Sequence, residues 1–184
     1  EEFQKQRLKG CWPGFVYTRR AGDPSADGGL GMLDLAAIKK VCEEAWPRAT
    51  NPDELHEALL LLGALTENEA RNLADHSAIW LELLGAEGRA GKLAMPQAFW
   101  VAAERWSMIQ AIYPGCDAEP ALVDPRSERG RPWEHADAVR ELVRGRMEVT
   151  GPITAEALSE FFRLPFSDVQ GALLALESEG FILR

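Results

Sequence analysis

Residues 151–184, GPITAEALSEFFRLPFSDVQGALLALESEGFILR, constrain the fold more than any other stretch of this chain. Thr154 stands at a helix N-cap position. Ala157, Leu158, Phe161 and Phe162 follow it at the three- and four-residue spacing of a buried helical face. Ser167 reads as the cap of a second helix, with Val169, Ala172, Leu173 and Leu176 turned inward. Gly180 is placed to stop that helix, and Phe181, Ile182 and Leu183 then read as a strand. Helix, turn, helix and strand in this order predict a winged helix-turn-helix, a nucleic-acid-type module. One wing strand without a partner also predicts that the chain is a piece of a longer protein.

The same order of elements is expected upstream. Residues 1–31 end in the turn-rich AGDPSADGGLG and read as a leader, from which Trp12, Phe15, Val16 and Tyr17 dock a short strand. Asp34 caps a helix carrying Leu35, Ile38, Val41, Cys42 and Ala45, and Trp46-Pro47 ends it. Asn51-Pro52 opens a second helix with Leu55, Leu59 and Leu62 on one face and Gly63 at its end. Thr66 and Glu69 form a capping box, and a further helix carries Ile79, Trp80, Leu83 and Leu84. Arg89 to Met95 and Phe99 to Ala102 predict the strands of a hairpin around Pro96-Gln97.

A linking helix over Glu104 to Tyr113 leads into YPGCDAEPALVDPRSERGRP, a proline-rich connector. A helix after Trp133 turns Ala136, Val139, Leu142 and Val143 inward. The expected fold class is mainly α (α+β), with tandem winged-helix modules and short β-hairpins. Its parts are a leader (1–31), a first module (32–103), a linking helix and connector (104–132) and a second module (133–184).

The formal net charge of −9 argues against a strongly basic, non-specific nucleic-acid binder. Its distribution matters more than its total, because phosphate affinity needs local cations. Residues 126–146 carry six arginines against four carboxylates, whereas the helix after Ser167 offers Asp168, Gln170, Gly171, Glu177, Ser178 and Glu179 outward and no Lys or Arg. Base readout by that helix is therefore not expected. Gly171 in its middle suggests close packing there.

The candidate nucleic-acid contacts are Arg126, Arg129, Arg131, Trp133, Arg144 and Arg146. Arginine suits phosphate bidentately, and an indole can stack on an unpaired base. The competing account pairs Arg140 with Asp137 or Glu141 on a solvated face and uses Trp133 to cover the module's core.

Catalytic and cofactor signals are sparse. His56, His76 and His135 lack metal-ligand spacing, and no GxxxxGK[ST] stretch occurs. Cys11, Cys42 and Cys116 form no CxxC, which fits a reduced, cytoplasmic chain. No apolar run is long enough to span a bilayer, and no signal peptide is visible.

Three stretches, 33–65, 99–125 and the block from Glu134 to Arg184, together resemble the region following the motor domains in the large helicase-related (Lhr) family of superfamily-2 helicases. WVAAER, RELVRGR and ALESEGF carry that resemblance. It implies an accessory module that grips single-stranded DNA or a DNA/RNA hybrid beside its own helicase motor domains in DNA repair. ATP and Mg2+ are then confined to those motors, and no cofactor is expected in these residues. Two other readings stay open. Some DNA glycosylases are built on tandem winged helices, and for that reading only Gln97 and Glu104 are plausible polar groups in a central groove. The acidic 21–125 segment would instead suit a protein-interaction scaffold.

Overall fold

The computed structural model describes residues 35–125 and 132–183. The expected leader strand and the Asp34 cap lie outside the described residues. Among the described residues the chain is mainly helical with one small antiparallel sheet, the α+β class that the periodicity predicts.

Helix α1 (Leu35–Ala45) buries less than its apolar stripe suggests. Ile38 and Cys42 are half-buried, but Val41 and Ala45 face solvent. Helix α2 (Pro52–Leu62) starts where the sequence says, with the Asn51 side chain accepting from the Glu54 N–H and Gly63 closing it at φ 72°. Strand β1 (Leu65–Thr66) leads into α3 (Glu67–Leu73) through a complete Thr66–Glu69 capping box. Helix α4 (Ser77–Ala86) follows.

The hairpin forms as β2 (Ala90–Leu93) and β3 (Phe99–Ala102), with Gly91 opposite Val101. A 3-10 turn (Ala103–Arg105) and α5 (Trp106–Ile112) continue the chain. Within the connector, Ala118–Glu119 forms β4 against β2, giving the sheet order β1-β3-β2-β4. Periodicity missed this strand because two residues have no period.

Strand β3 explains the layering. All four of its residues are buried, so the sequence FWVA shows no polar alternation. Trp100 and Ala102 face a core built with Leu55, Leu59, Leu62, Leu81 and Leu84 of α2 and α4. Phe99 and Val101 face the other core, made with α5 and the three helices that follow the connector. Those helices are α6 (His135–Val149), α7 (Ala155–Phe162) and α8 (Phe166–Ser178). Burying a side chain such as Phe99, at 0% exposure, is worth about 1.5–3 kcal/mol. The central strand thus anchors both layers, and residues from before and after the connector share one core.

Four details differ from the sequence reading. Ala136 is exposed and Ala138 takes the inward place on α6. Helix α8 begins at Phe166, and its N-cap is Pro165 rather than Ser167. A Cβ added at Gly171 would meet nothing within 4 Å, so that glycine is not a packing device.

Residues 181–183 form no strand. Instead the Phe181 N–H donates to the Leu176 carbonyl (2.9 Å) and the Gly180 N–H to that of Glu177 (3.0 Å), with Gly180 at φ 74°. This is a Schellman closure, in which Phe181 finishes the helix rather than starting a wing.

Candidate nucleic-acid interface

The six expected contact residues meet different fates. Arg126, Arg129 and Arg131 lie outside the described residues. Trp133 is half-buried and packs on the core shared by α5 to α8. Arg144 pairs with Glu141 and Glu179, and its guanidinium lies 4.8 Å from the Phe181 ring centroid. Arg146 is 5% exposed, bound to Glu69 and stacked 4.1 Å over Phe161, so its head group is turned into the protein. Its burial was detectable, because Val139, Leu142, Val143, Arg146 and Val149 recur along one stripe of α6 and every other member is apolar.

Neutralisation is general. Among the described residues every Lys and Arg except Arg48 and Arg163 has a carboxylate within ion-pairing distance. Glu179 at the end of α8 alone engages Arg140 and Arg144. The acidic C-terminal end of α8 therefore consumes charge on α6 that phosphate would otherwise use.

Gln97 and Glu104 do not converge. Gln97 sits in the hairpin turn and Glu104 beyond the opposite end of β3, and the strand between them spans roughly 10 Å. Glu104 belongs to a separate brace. The His56 Nε2–H donates to Glu104 Oε2 (3.1 Å) and Arg89 donates to His56 Nδ1 (3.2 Å), while Arg89 also reaches Asp53 (2.7 Å). The brace ties α2 to both strands at the open end of the hairpin, with His56 only 7% exposed.

A shallow depression forms where the hairpin tip (Ala94, Met95), the turn after α5 (Tyr113 to Cys116), the start of α6 and the α7–α8 turn come together. His135 is its fulcrum. Its Nδ1 lies 3.0 Å from the Ala111 carbonyl and its Nε2 3.0 Å from Asp168 Oδ2. Two acceptors on the two ring nitrogens call for two N–H groups, which only the imidazolium has. The Ala111 carbonyl first, and then Asp168, raise the His135 pKa, and His135 in turn lowers that of Asp168. Burial of Tyr113 pushes its phenol well up, and its hydroxyl donates to the Phe162 carbonyl.

The pH consequence has a definite sign. A raised histidine pKa stabilises the fold fully below its ordinary value of 6.5, and that contribution is lost as pH rises through the higher folded value. A lowered Asp168 pKa contributes above 3.8 and is lost as pH falls through the lower folded value. The clamp is therefore strongest between these two ordinary values. Thermal melts are expected to show a small loss of Tm as pH rises above the ordinary histidine value of 6.5. His135→Asn should flatten that slope, and an unchanged slope would remove His135 as its source. The effect is small because the His135 side chain is half exposed.

Among the described residues no group of three or more His, Cys, Asp or Glu could hold a metal ion, and no helix is long and apolar enough to cross a membrane. A helix-turn-helix (α7 and α8) shares its core with an antiparallel hairpin, and together they define an α+β protein, mainly helical with one small sheet among the described residues. The chain belongs to the AlkZ-like family of DNA glycosylases: the family model described as DNA glycosylase AlkZ-like matches residues 16–182. No curated protein matches it.

Family membership overturns the resemblance to the helicase-associated region, together with the expected motor-domain partner and the ATP dependence. The structure gives the physical reason. WVAAER spans the buried strand β3 and its following turn, and RELVRGR spans the packed face of α6. Those phrases report how helices pack on a hairpin, and they carry no information about a neighbouring motor.

Proposed function

We propose that this chain binds DNA as a glycosylase-type repair module, with duplex rather than a motor-tracked single strand as its target. The observation that carries the reading is the family match over residues 16–182. The convergence of the hairpin tip and the helix-turn-helix on one depression supports it, since both are parts a winged-helix protein can lay against DNA. Arg126, Arg129 and Arg131 supply phosphate contacts in this reading, because Arg140, Arg144 and Arg146 are occupied by Glu179, Glu141 and Glu69.

The test is a titration of a short duplex oligonucleotide across salt concentrations. Binding should weaken with a negative log–log salt slope. The Arg126→Ala, Arg129→Ala, Arg131→Ala triple variant should reduce that slope by about 0.9 for each contact removed. An unchanged slope would take those arginines out of the interface. Release of modified bases from an alkylated duplex, followed on the same samples, separates a glycosylase from a binding module. No binding at low salt would leave the protein-interaction scaffold as the better account.

A further inference from the structure

We propose that Arg163 binds a backbone phosphate of DNA at the depression between the hairpin tip and the α7–α8 turn, where His135 holds Asp168 and leaves the guanidinium without a competing carboxylate. The turn, and not the outward face of α8, then meets the nucleic acid. The inference rests on the DNA-binding reading above and gives it a location.

Three observations converge on Arg163. It is exposed and, with Arg48, lacks the carboxylate partner that every other Lys and Arg among the described residues has. It closes α7 at φ 56°, the one positive-φ residue other than glycine among the described residues. Glycine is the usual occupant of that position, and an arginine there is sterically disfavoured. Its side chain makes no ion pair that would account for it inside the fold, and unpaired residues in disfavoured backbone regions concentrate at functional sites.

The neighbourhood supplies the third observation. Arg163, His135 and Asp168 border the same depression, and Asp168 is already engaged by His135. One positive charge remains uncompensated there, beside a floor that includes Met95, Ile112, Leu164 and Pro165. An anion docking at this rim meets a guanidinium without displacing an existing partner. The outward face of α8 has no cation to offer.

The experiment titrates the whole chain with a fluorescent duplex oligonucleotide and compares Arg163→Gly and Arg163→Asn with Arg48→Gln. Glycine and asparagine both tolerate the left-handed backbone, so both variants should fold with Tm unchanged or slightly raised. Each should weaken binding about tenfold and reduce the salt slope by about one. Arg48→Gln, which does not border the depression, should leave the affinity within about twofold of the parent. Inorganic phosphate should compete only weakly, which separates a DNA backbone from a free anion as the ligand. If the parent binds duplex and the Arg163 variants bind equally well, the site is wrong and the DNA-binding reading stands. If the parent binds no duplex at low salt, both fall.

Discussion

Replacing Gly145 with alanine is expected to destabilise the protein by roughly 3 kcal/mol or more, at the upper end of what overpacking costs. The direction is opposite to the local rule, since glycine to alanine inside a helix ordinarily gains about 1 kcal/mol. Helices α2 and α6 cross at this residue. A Cβ on Gly145 would overlap the carbonyl oxygen of Leu61 and crowd its carbonyl carbon at 3.2 Å. Both are backbone atoms of the last turn of α2, so no side-chain rotation relieves the clash. The helices must separate, and the core residues Leu62 and Leu142 on either side of the crossing must move with them.

Gly171→Ala is the matched control. It too lies inside a helix, but its Cβ would meet nothing within 4 Å. It should stabilise the protein by about 0.5–1 kcal/mol. Urea unfolding of the two variants beside the parent reads both signs. A stabilised Gly145→Ala would mean that α2 and α6 do not approach as described.

What the sequence disclosed, and what it did not, divides along the range of the interactions. Signals completed within four residues were legible: Asn51-Pro52, the Thr66–Glu69 box, Thr154 and Gly63 all act where they were expected. The inward face of α8 was also legible, because Val169, Ala172, Leu173 and Leu176 follow one helical stripe. Two misreadings had different causes. Phe181 has strand-like neighbours in sequence but completes a five-residue helix closure onto Leu176, whereas Ala118–Glu119 becomes a strand only because β2, far back in the chain, offers it an edge.

The candidate site was harder to read for an electrostatic reason. Sequence shows six arginines clustered over 126–146, and their helical neighbours Asp137 and Glu141, but not that Glu69 and Glu179, from other turns of the chain, reach Arg146, Arg140 and Arg144. Arg163 carried no local signal at all. Its left-handed backbone closes α7 through the Arg163 N–H to the Glu160 carbonyl (3.4 Å) and the Leu164 N–H to the Ser159 carbonyl (3.1 Å), with no glycine to announce it.

Glu69→Ala should be the most damaging charge removal in the described residues, at about 4 kcal/mol. The Glu69 carboxylate serves two helices at once. One oxygen accepts from the Thr66 backbone N–H (3.0 Å) and hydroxyl (3.0 Å), closing the start of α3, while the other binds the Arg146 guanidinium from α6. Loss of the cap contributes about 1 kcal/mol. The larger share comes from leaving a buried guanidinium without its counter-charge, a loss of about 3–5 kcal/mol when one partner of a buried pair is removed. Stacking over Phe161 (4.1 Å) and Trp46 (5.5 Å) offsets little of this, and Arg146 Nε and Nη1 have no acceptor among the described residues.

An ordering of variants follows and can be read from urea midpoints. Glu69→Gln keeps a capping oxygen and loses only the charge, so it should cost less than Glu69→Ala. Arg146→Met leaves Glu69 partly exposed and still engaged by Thr66, so it should cost less again. The Glu69→Leu, Arg146→Met double variant removes both charges and should recover most of the loss, as buried pairs replaced by apolar residues often do. If Glu69→Gln matched the parent within about 0.5 kcal/mol, the pair would contribute nothing to stability. Because this pair ties α6 to α3 across the two layers, it holds the helix-turn-helix against the first part of the chain. In intact variants its loss should lower Tm while leaving the salt slope of DNA binding unchanged, which distinguishes Arg146 from the phosphate-contacting Arg163.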